Sequence, residues 1–196
     1  METYTLPTEA SNTPVPRSKR INQIIIFGAI AYLLHALFIY SLEKQPELLK
    51  TGETVPHFSV GLADGGMLSE MDIIGKPAMI FYFANWCPCS HESIKWIKEA
   101  KSQYSSMGLT VVGIGIQDTT ANISEFAAKH ALDFPVGIKG GDSAARIMGI
   151  KTTPTTLFFD SSGVLRHSWV GKIEEQGQIQ EGINSIYPKE QFAVAR

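Results

Sequence analysis

Residues 24–42 form one unbroken apolar run, from Ile24-Ile25-Ile26-Phe27 to Phe38-Ile39-Tyr40-Ser41-Leu42, with no Asp, Glu, Lys or Arg. A helix needs about 20 such residues to span a bilayer, so the run predicts a transmembrane segment. Arg17, Lys19 and Arg20 precede it, whereas Glu43, Lys44, Glu47 and Lys50 follow with mixed sign. The positive-inside rule then places residues 1–20 in the cytoplasm and everything after the run outside. Tyr40-Ser41-Leu42-Glu43-Lys44 offers no small-x-small cleavage site, which favours an uncleaved anchor over 21–43 above a removed signal peptide. The Thr-, Ser- and Pro-rich residues 1–20 are expected to be a disordered tail, and 44–55 a linker. His35, mid-span, is read as a neutral imidazole.

Beyond the anchor the pattern alternates between strand and helix. A short strand is expected near Phe58-Ser59-Val60, followed by a hairpin-type turn at Asp64-Gly65-Gly66. Ala78-Met79-Ile80-Phe81-Tyr82-Phe83 is a continuous apolar strand. Ile94, Ile97, Ala100 and Tyr104 recur at helical spacing over 90–107, with Gly108 as the stop and Trp96 off the stripe. Residues 109–116 are a second strand, apolar throughout and so covered on both faces. Asn122 is read as the cap of a helix to about His130, with Phe126 and Ala127 inward, and Asp142 or Ser143 as the cap of a short helix to Met148. Strands over 155–159 and 164–170 flank the Asp160-Ser161-Ser162-Gly163 turn, and Ile173, Ile179, Ile183 and Ile186 mark a last helix. The expected order is β-α-β-α-(α)-β-β-α: an α/β domain over 56–188 with a mixed sheet between helices, then a loose tail over 189–196.

Composition narrows the function. Length suits one domain plus an appendage. The net charge of −2 and the lack of a basic block argue against nucleic acid. The two cysteines cannot staple a scaffold, and the five histidines show no metal-ligand spacing, so neither a metal nor a cofactor is expected.

Both cysteines fall in Trp86-Cys87-Pro88-Cys89, at a strand-to-helix turn. Proline suits the first helical position and pushes the preceding residue out of the α region. Cys87 is therefore the expected N-cap, accepting from the amides of Cys89 and Ser90, with a thiolate favoured by the helix dipole. That makes Cys87 the nucleophile and Cys89, less exposed, the resolving thiol. A Cys87–Cys89 disulfide closes a ring one residue smaller than that of Cys-x-x-Cys, so the couple should be more oxidising or avoid closing. Glu92, one turn after Cys89, either tunes or relays the Cys89 proton or is an exposed helical carboxylate. His91 is read as solvated. Trp86 is expected to pack beside the thiols and limit access to them. Asp118, ending the second strand, reads equally as a site group, a helix cap or a solvated carboxylate.

Several segments together resemble the membrane-anchored thioredoxin-like proteins of the TlpA/ResA type, within the redoxin (AhpC/TSA) group. Gly52-Glu53-Thr54-Val55-Pro56-His57-Phe58 is similar to the family's G-x-x-A-P-x-F, Gly75-Lys76-Pro77 to its G-K-P, and Phe83-Ala84-Asn85-Trp86-Cys87 to its F-W-A-x-W-C. Phe134-Pro135-Val136 resembles its F-P-V, and Lys151-Thr152-Thr153-Pro154-Thr155 the segment with its cis-proline. The resemblance covers about 51–187 and implies a thioredoxin fold with a βα insertion, acting as an extracytoplasmic thiol–disulfide oxidoreductase on protein thiols or disulfides, in cytochrome c or other envelope protein maturation. It further implies that Trp86, Pro88, Thr153 and Pro154 border the substrate, with Thr153 pairing an extended chain. At Phe81, thioredoxin itself has a buried acid.

The departure is Cys-x-Cys for Cys-x-x-Cys. Many members carry a Glu three residues after the second cysteine, as Glu92 follows Cys89, which aligns Cys89 with that cysteine; the other alignment puts Ser90 there and leaves Cys89 as an extra thiol. Two rival functions are open. A Sco-like copper-binding assembly factor needs His130 or His167 to reach the thiols. A thiol peroxidase needs P-x-x-x-[ST]-x-x-C, but Ala84 and Trp86 stand three before Cys87 and Cys89.

Overall fold

A computed structural model describes residues 17–43 and 47–188, as two units divided between Gln45 and Pro46. The described residues of the first unit form one helix, α1 (Arg17–Glu43), whose apolar run stands exposed over 25–34. Residues 17–20 thus belong to the helix rather than to a disordered tail; residues 1–16 lie outside the described residues, as do 44–46 and the expected C-terminal tail, 189–196. Ile25, Phe27, Leu33, Leu34, Leu37 and Phe38 all stand exposed on α1. Among the described residues no helix is long and apolar enough to cross a membrane.

The second unit is a seven-stranded mixed sheet in the order β2-β1-β5-β4-β3-β6-β7. The apolar runs build its centre. β3 (Ala78–Phe83) pairs parallel with β4 (Thr110–Gly115) and antiparallel with β6 (Thr155–Phe159). Every residue of β3 and β6 is buried, as strands covered on both faces require. Side chains alternate between the two cores. Met79, Phe81 and Phe83 point to the layer of α2 (Pro88–Tyr104), α3 (Thr120–Lys129) and α5 (Gln176–Ile186); Ala78, Ile80 and Tyr82 point to that of α4 (Gly141–Ile147). β7 (Leu165–Val170) closes one edge. At the other, β1 (Ser59–Leu62) and β2 (Met67–Ser69) form the hairpin expected at Asp64-Gly65-Gly66.

Several boundaries differ from the sequence reading. β5 (Val136–Lys139) was not expected as a strand; it pairs parallel with β4 and antiparallel with β1, carrying the sheet past its parallel centre. The cap of α3 is Thr119, not Asn122: its hydroxyl accepts from the Asn122 amide at 3.2 Å. The cap of α4 is Gly140, at φ 81°, a left-handed turn that a side chain disfavours, while Asp142 accepts the Gln117 amide at 2.6 Å. Ile173 precedes α5, its amide held by buried Ser93 at 2.9 Å. The expected linker is shorter than 44–55, because the amides of Leu49, Gly52 and Val55 are donated to Met148, Leu165 and Gly163 within the domain.

Candidate active site

The turn between β3 and α2 presents both cysteines at one end of the sheet. Cys87 is the N-cap, at φ −91° and ψ 111°, and Pro88 opens the helix, which places Cys89 at the second helical position. Both thiols are free. Their burial is the reverse of the sequence expectation: Cys87 is 6% exposed, whereas Cys89 is only half-buried. The reason is the chain opposite. The Thr153–Pro154 peptide is cis, and the Thr153 carbonyl oxygen accepts from the Cys87 Sγ at 3.6 Å.

That contact also replaces the expected cap. With its proton in place, the Cys87 thiol makes no cap hydrogen bond and donates to Thr153. Its pKa is nevertheless held below the ordinary cysteine value. Burial pushes the thiol up, but the amide and hydroxyl of Ser90, polar contact with Thr153 and the amide of Cys89 together outweigh it. Ser90 is itself buried, and its hydroxyl accepts from the Ala84 amide at 3.4 Å. At 81 the structure packs a fully buried phenylalanine, so no acid lies there.

A brace from the far side of β4 positions the turn. Asp118 accepts the Asn85 amide at 2.8 Å and the Asn122 side chain at 2.7 Å. Burial pushes its carboxyl up, but donors from Asn122, Thr119, Asn85 and Trp86 prevail and hold its pKa below the usual range. Gln117, at a positive φ of 54°, accepts the Trp86 indole N–H at 2.9 Å and donates its amide to Asp142. The Trp86 ring is 59% exposed, forming a rim beside the thiols more than a cover over them. Asp118 therefore serves the site by holding its loop.

Glu92 is exposed and paired with Lys172 at 2.9 Å, and Lys172 also reaches Glu174 at 3.1 Å. His91 is not solvated. It is half-buried, with Nε2 2.7 Å from the Asn85 carbonyl and Nδ1 2.7 Å from Nε2 of His130. His130 is thus engaged by His91, while His167 packs on Phe158 with its Nε2 buried and unpaired. Among the described residues no three His, Cys, Asp or Glu side chains gather as metal ligands. A cavity of about 300 Å³ is lined by Glu47, Leu48, Lys151, Thr152, Thr155 and Val170, and by neither cysteine.

This arrangement has relatives. The model of the AhpC/TSA family matches residues 51–168. The thiol-disulfide oxidoreductase ResA of Geobacillus thermodenitrificans is 24% identical, over 84% of this chain and 92% of its own. The thiol:disulfide interchange protein DsbE of Pseudomonas fluorescens biotype C is 28% identical, over 78% and 86%. Among solved structures, a thiol:disulfide interchange protein of the thioredoxin family from Chlorobium tepidum TLS superimposes with a TM-score of 0.60 at 23% identity, covering 70% of this chain and 97% of that one. A thioredoxin-like sheet, two thiols on the turn that opens its helix, and a family match over more than half the sequence converge: the chain belongs to the AhpC/TSA family, among the thiol–disulfide oxidoreductases of the ResA and DsbE kind.

Proposed function

We propose that the protein exchanges disulfides with other proteins outside the cytoplasmic membrane, tethered by α1, with Cys87 as the attacking sulfur and Cys89 as the resolving one. The observation that carries this reading is the Cys87 thiol, buried under Thr153 yet held below its ordinary pKa by the donors of the first helical turn. A low pKa makes a thiol both available as thiolate and a good leaving group.

In the reducing direction, the Cys87 thiolate attacks one sulfur of a substrate disulfide. A mixed disulfide forms, and the other substrate sulfur leaves as a thiolate and takes a proton from solvent. The Cys89 thiolate then attacks the Cys87 sulfur and expels the second substrate thiol. Two electrons pass to the substrate, and the Cys87–Cys89 disulfide remains. Oxidation runs the same steps backward. The small ring formed by Cys-Pro-Cys favours the oxidising sense relative to a Cys-x-x-Cys relative.

Trp86, Pro88, Thr153 and Pro154 frame the approach of an extended polypeptide. Glu92 is assigned as the group that takes the Cys89 proton when Lys172 releases it. The anchor reading rests on the charge-free run over 24–42, the cations before it and the apolar side chains exposed on α1.

The test is trapping. A Cys89→Ser variant, mixed with a disulfide-bonded peptide, should accumulate an adduct at Cys87 that mass spectrometry locates, and Cys87→Ser should accumulate none. An adduct on Cys89 in the wild type, with Cys87 untouched, overturns the assignment. The potential of the couple, measured against glutathione, fixes the direction.

A further inference from the structure

His91 and His130 stand 39 residues apart in sequence and share one short contact, 2.7 Å between ring nitrogens. Both rings pack on one aromatic side chain. His91 lies 4.8 Å from the ring of Phe126, His130 lies 4.5 Å from the same ring, and Phe126 stacks on Phe83 of β3 at 4.3 Å. The other nitrogen of His91, Nε2, meets the carbonyl oxygen of Asn85 at 2.7 Å. A carbonyl only accepts, so Nε2 of His91 carries a hydrogen. In the neutral pair, Nδ1 of His91 is then an acceptor, and Nε2 of His130 must be the donor.

Protonation follows from this geometry. One proton added to the pair leaves one N–H⁺ pointing at one lone pair, a favourable arrangement. A second proton sets two donors and two charges against each other at 2.7 Å. The pair therefore takes up one proton readily and a second only at much lower pH, as one coupled unit. Its charged neighbours are Lys98 of α2, whose Nζ donates to the His130 carbonyl at 2.7 Å; Lys129 of α3; Glu125 of α3, at 3.5 Å from the Asn85 side chain; and Asp118, on the Asn85 amide. Burial, with His91, Lys129 and Lys98, holds His130 below the ordinary histidine value.

The pair bears on the thiol turn through His91. His91 stands in the second turn of α2, four residues after Cys87, and its bond to Asn85 ties the strand side of the thiol loop to that helix. We propose that His91 and His130 are positioning residues for disulfide exchange, a proton-sharing pair that clamps the loop at Asn85 and, when charged, favours the Cys87 thiolate. The inference rests on the reading that Cys87 attacks.

Reciprocity supplies the test: a cation that favours a thiolate is itself favoured by that thiolate. Imidazole NMR titration of the reduced, full-length protein should show one proton entering the pair between about pH 5 and 8. Blocking Cys87 with iodoacetamide should lower that midpoint. In parallel, the alkylation rate of Cys87, followed by mass spectrometry, should rise with pH less steeply than a lone thiol, because the charge is lost as the thiolate forms. In the double variant His91→Gln/His130→Gln, which keeps polar, non-titrating side chains at both positions, the profile should become that of one thiol, with the rate at pH 6 about three- to tenfold lower. Two independent protons per pair, a midpoint indifferent to the block, or an unchanged profile in a folded double variant overturns the proposal. If Cys89 is the alkylated sulfur, the attack assignment fails instead, and the two failures are told apart by the labelled peptide. The NMR arm needs no variant to fold.

Discussion

The reactivity of Cys87 depends on donors that each sit on one residue. Ser90 is the sharpest case, because its amide and hydroxyl both favour the thiolate. Ser90→Ala keeps the amide and removes the hydroxyl, so the Cys87 pKa should rise and its alkylation at pH 6 should slow several-fold, with less change at pH 9 where the thiol ionises regardless. Glu92 is a separate question at the same scale. If it accepts the Cys89 proton, Glu92→Gln should slow decay of the mixed disulfide while leaving Cys87 alkylation untouched. If decay is unchanged, Glu92 is only half of an exposed, solvent-screened pair with Lys172. Asp118 sets an acid limb. Its folded pKa is depressed, so its contribution is full above the unfolded value and is lost as pH falls through the folded one. Stability should therefore drop below about pH 4, and less steeply in Asp118→Asn, as denaturant midpoints across pH would show.

Elements fix where those residues stand. α5 lies on β6 at Gly182, where a Cβ would run into the ring of Phe158. Gly182→Ala should lower the unfolding free energy by about 1–3 kcal/mol through overpacking, read in denaturant melts. The elements that bear the site were legible in the sequence, and for one reason. β3, β4 and β6 are apolar runs buried on both faces, and Pro88 marks the start of α2. β5 was not legible because Val136-Gly137-Ile138-Lys139 is four residues with a glycine, and it becomes a strand only through its neighbours. Caps were displaced by a few residues because Thr119 and Asn122 are both good caps, and the backbone chooses between them. The relative burial of the thiols could not be read locally, since what covers Cys87 is Thr153. For the same reason the histidines looked scattered: only packing on Phe126 brings His91 to His130.

At the scale of the molecule, the two units carry different work. The hydrogen bonds described for Cys87, Ser90 and Asp118 all lie within the domain from Pro46. A chain beginning at Pro46 should therefore fold, appear in the aqueous fraction and alkylate at Cys87 as fast as the full protein. The full protein should stay with membranes through alkaline carbonate extraction. Recovery of the intact chain in the carbonate supernatant would remove the anchor from the account.

The tie between Cys87 and Thr153 spans 66 residues of sequence. During synthesis the sulfurs leave the ribosome long before Thr153, Asp118 or Asp142 can brace them. A nascent chain therefore carries Cys87 without the strand that buries it for most of its elongation. What arrives with the last quarter of the chain is the cover over Cys87, so the first-formed part of the site stands open until Thr153 is made.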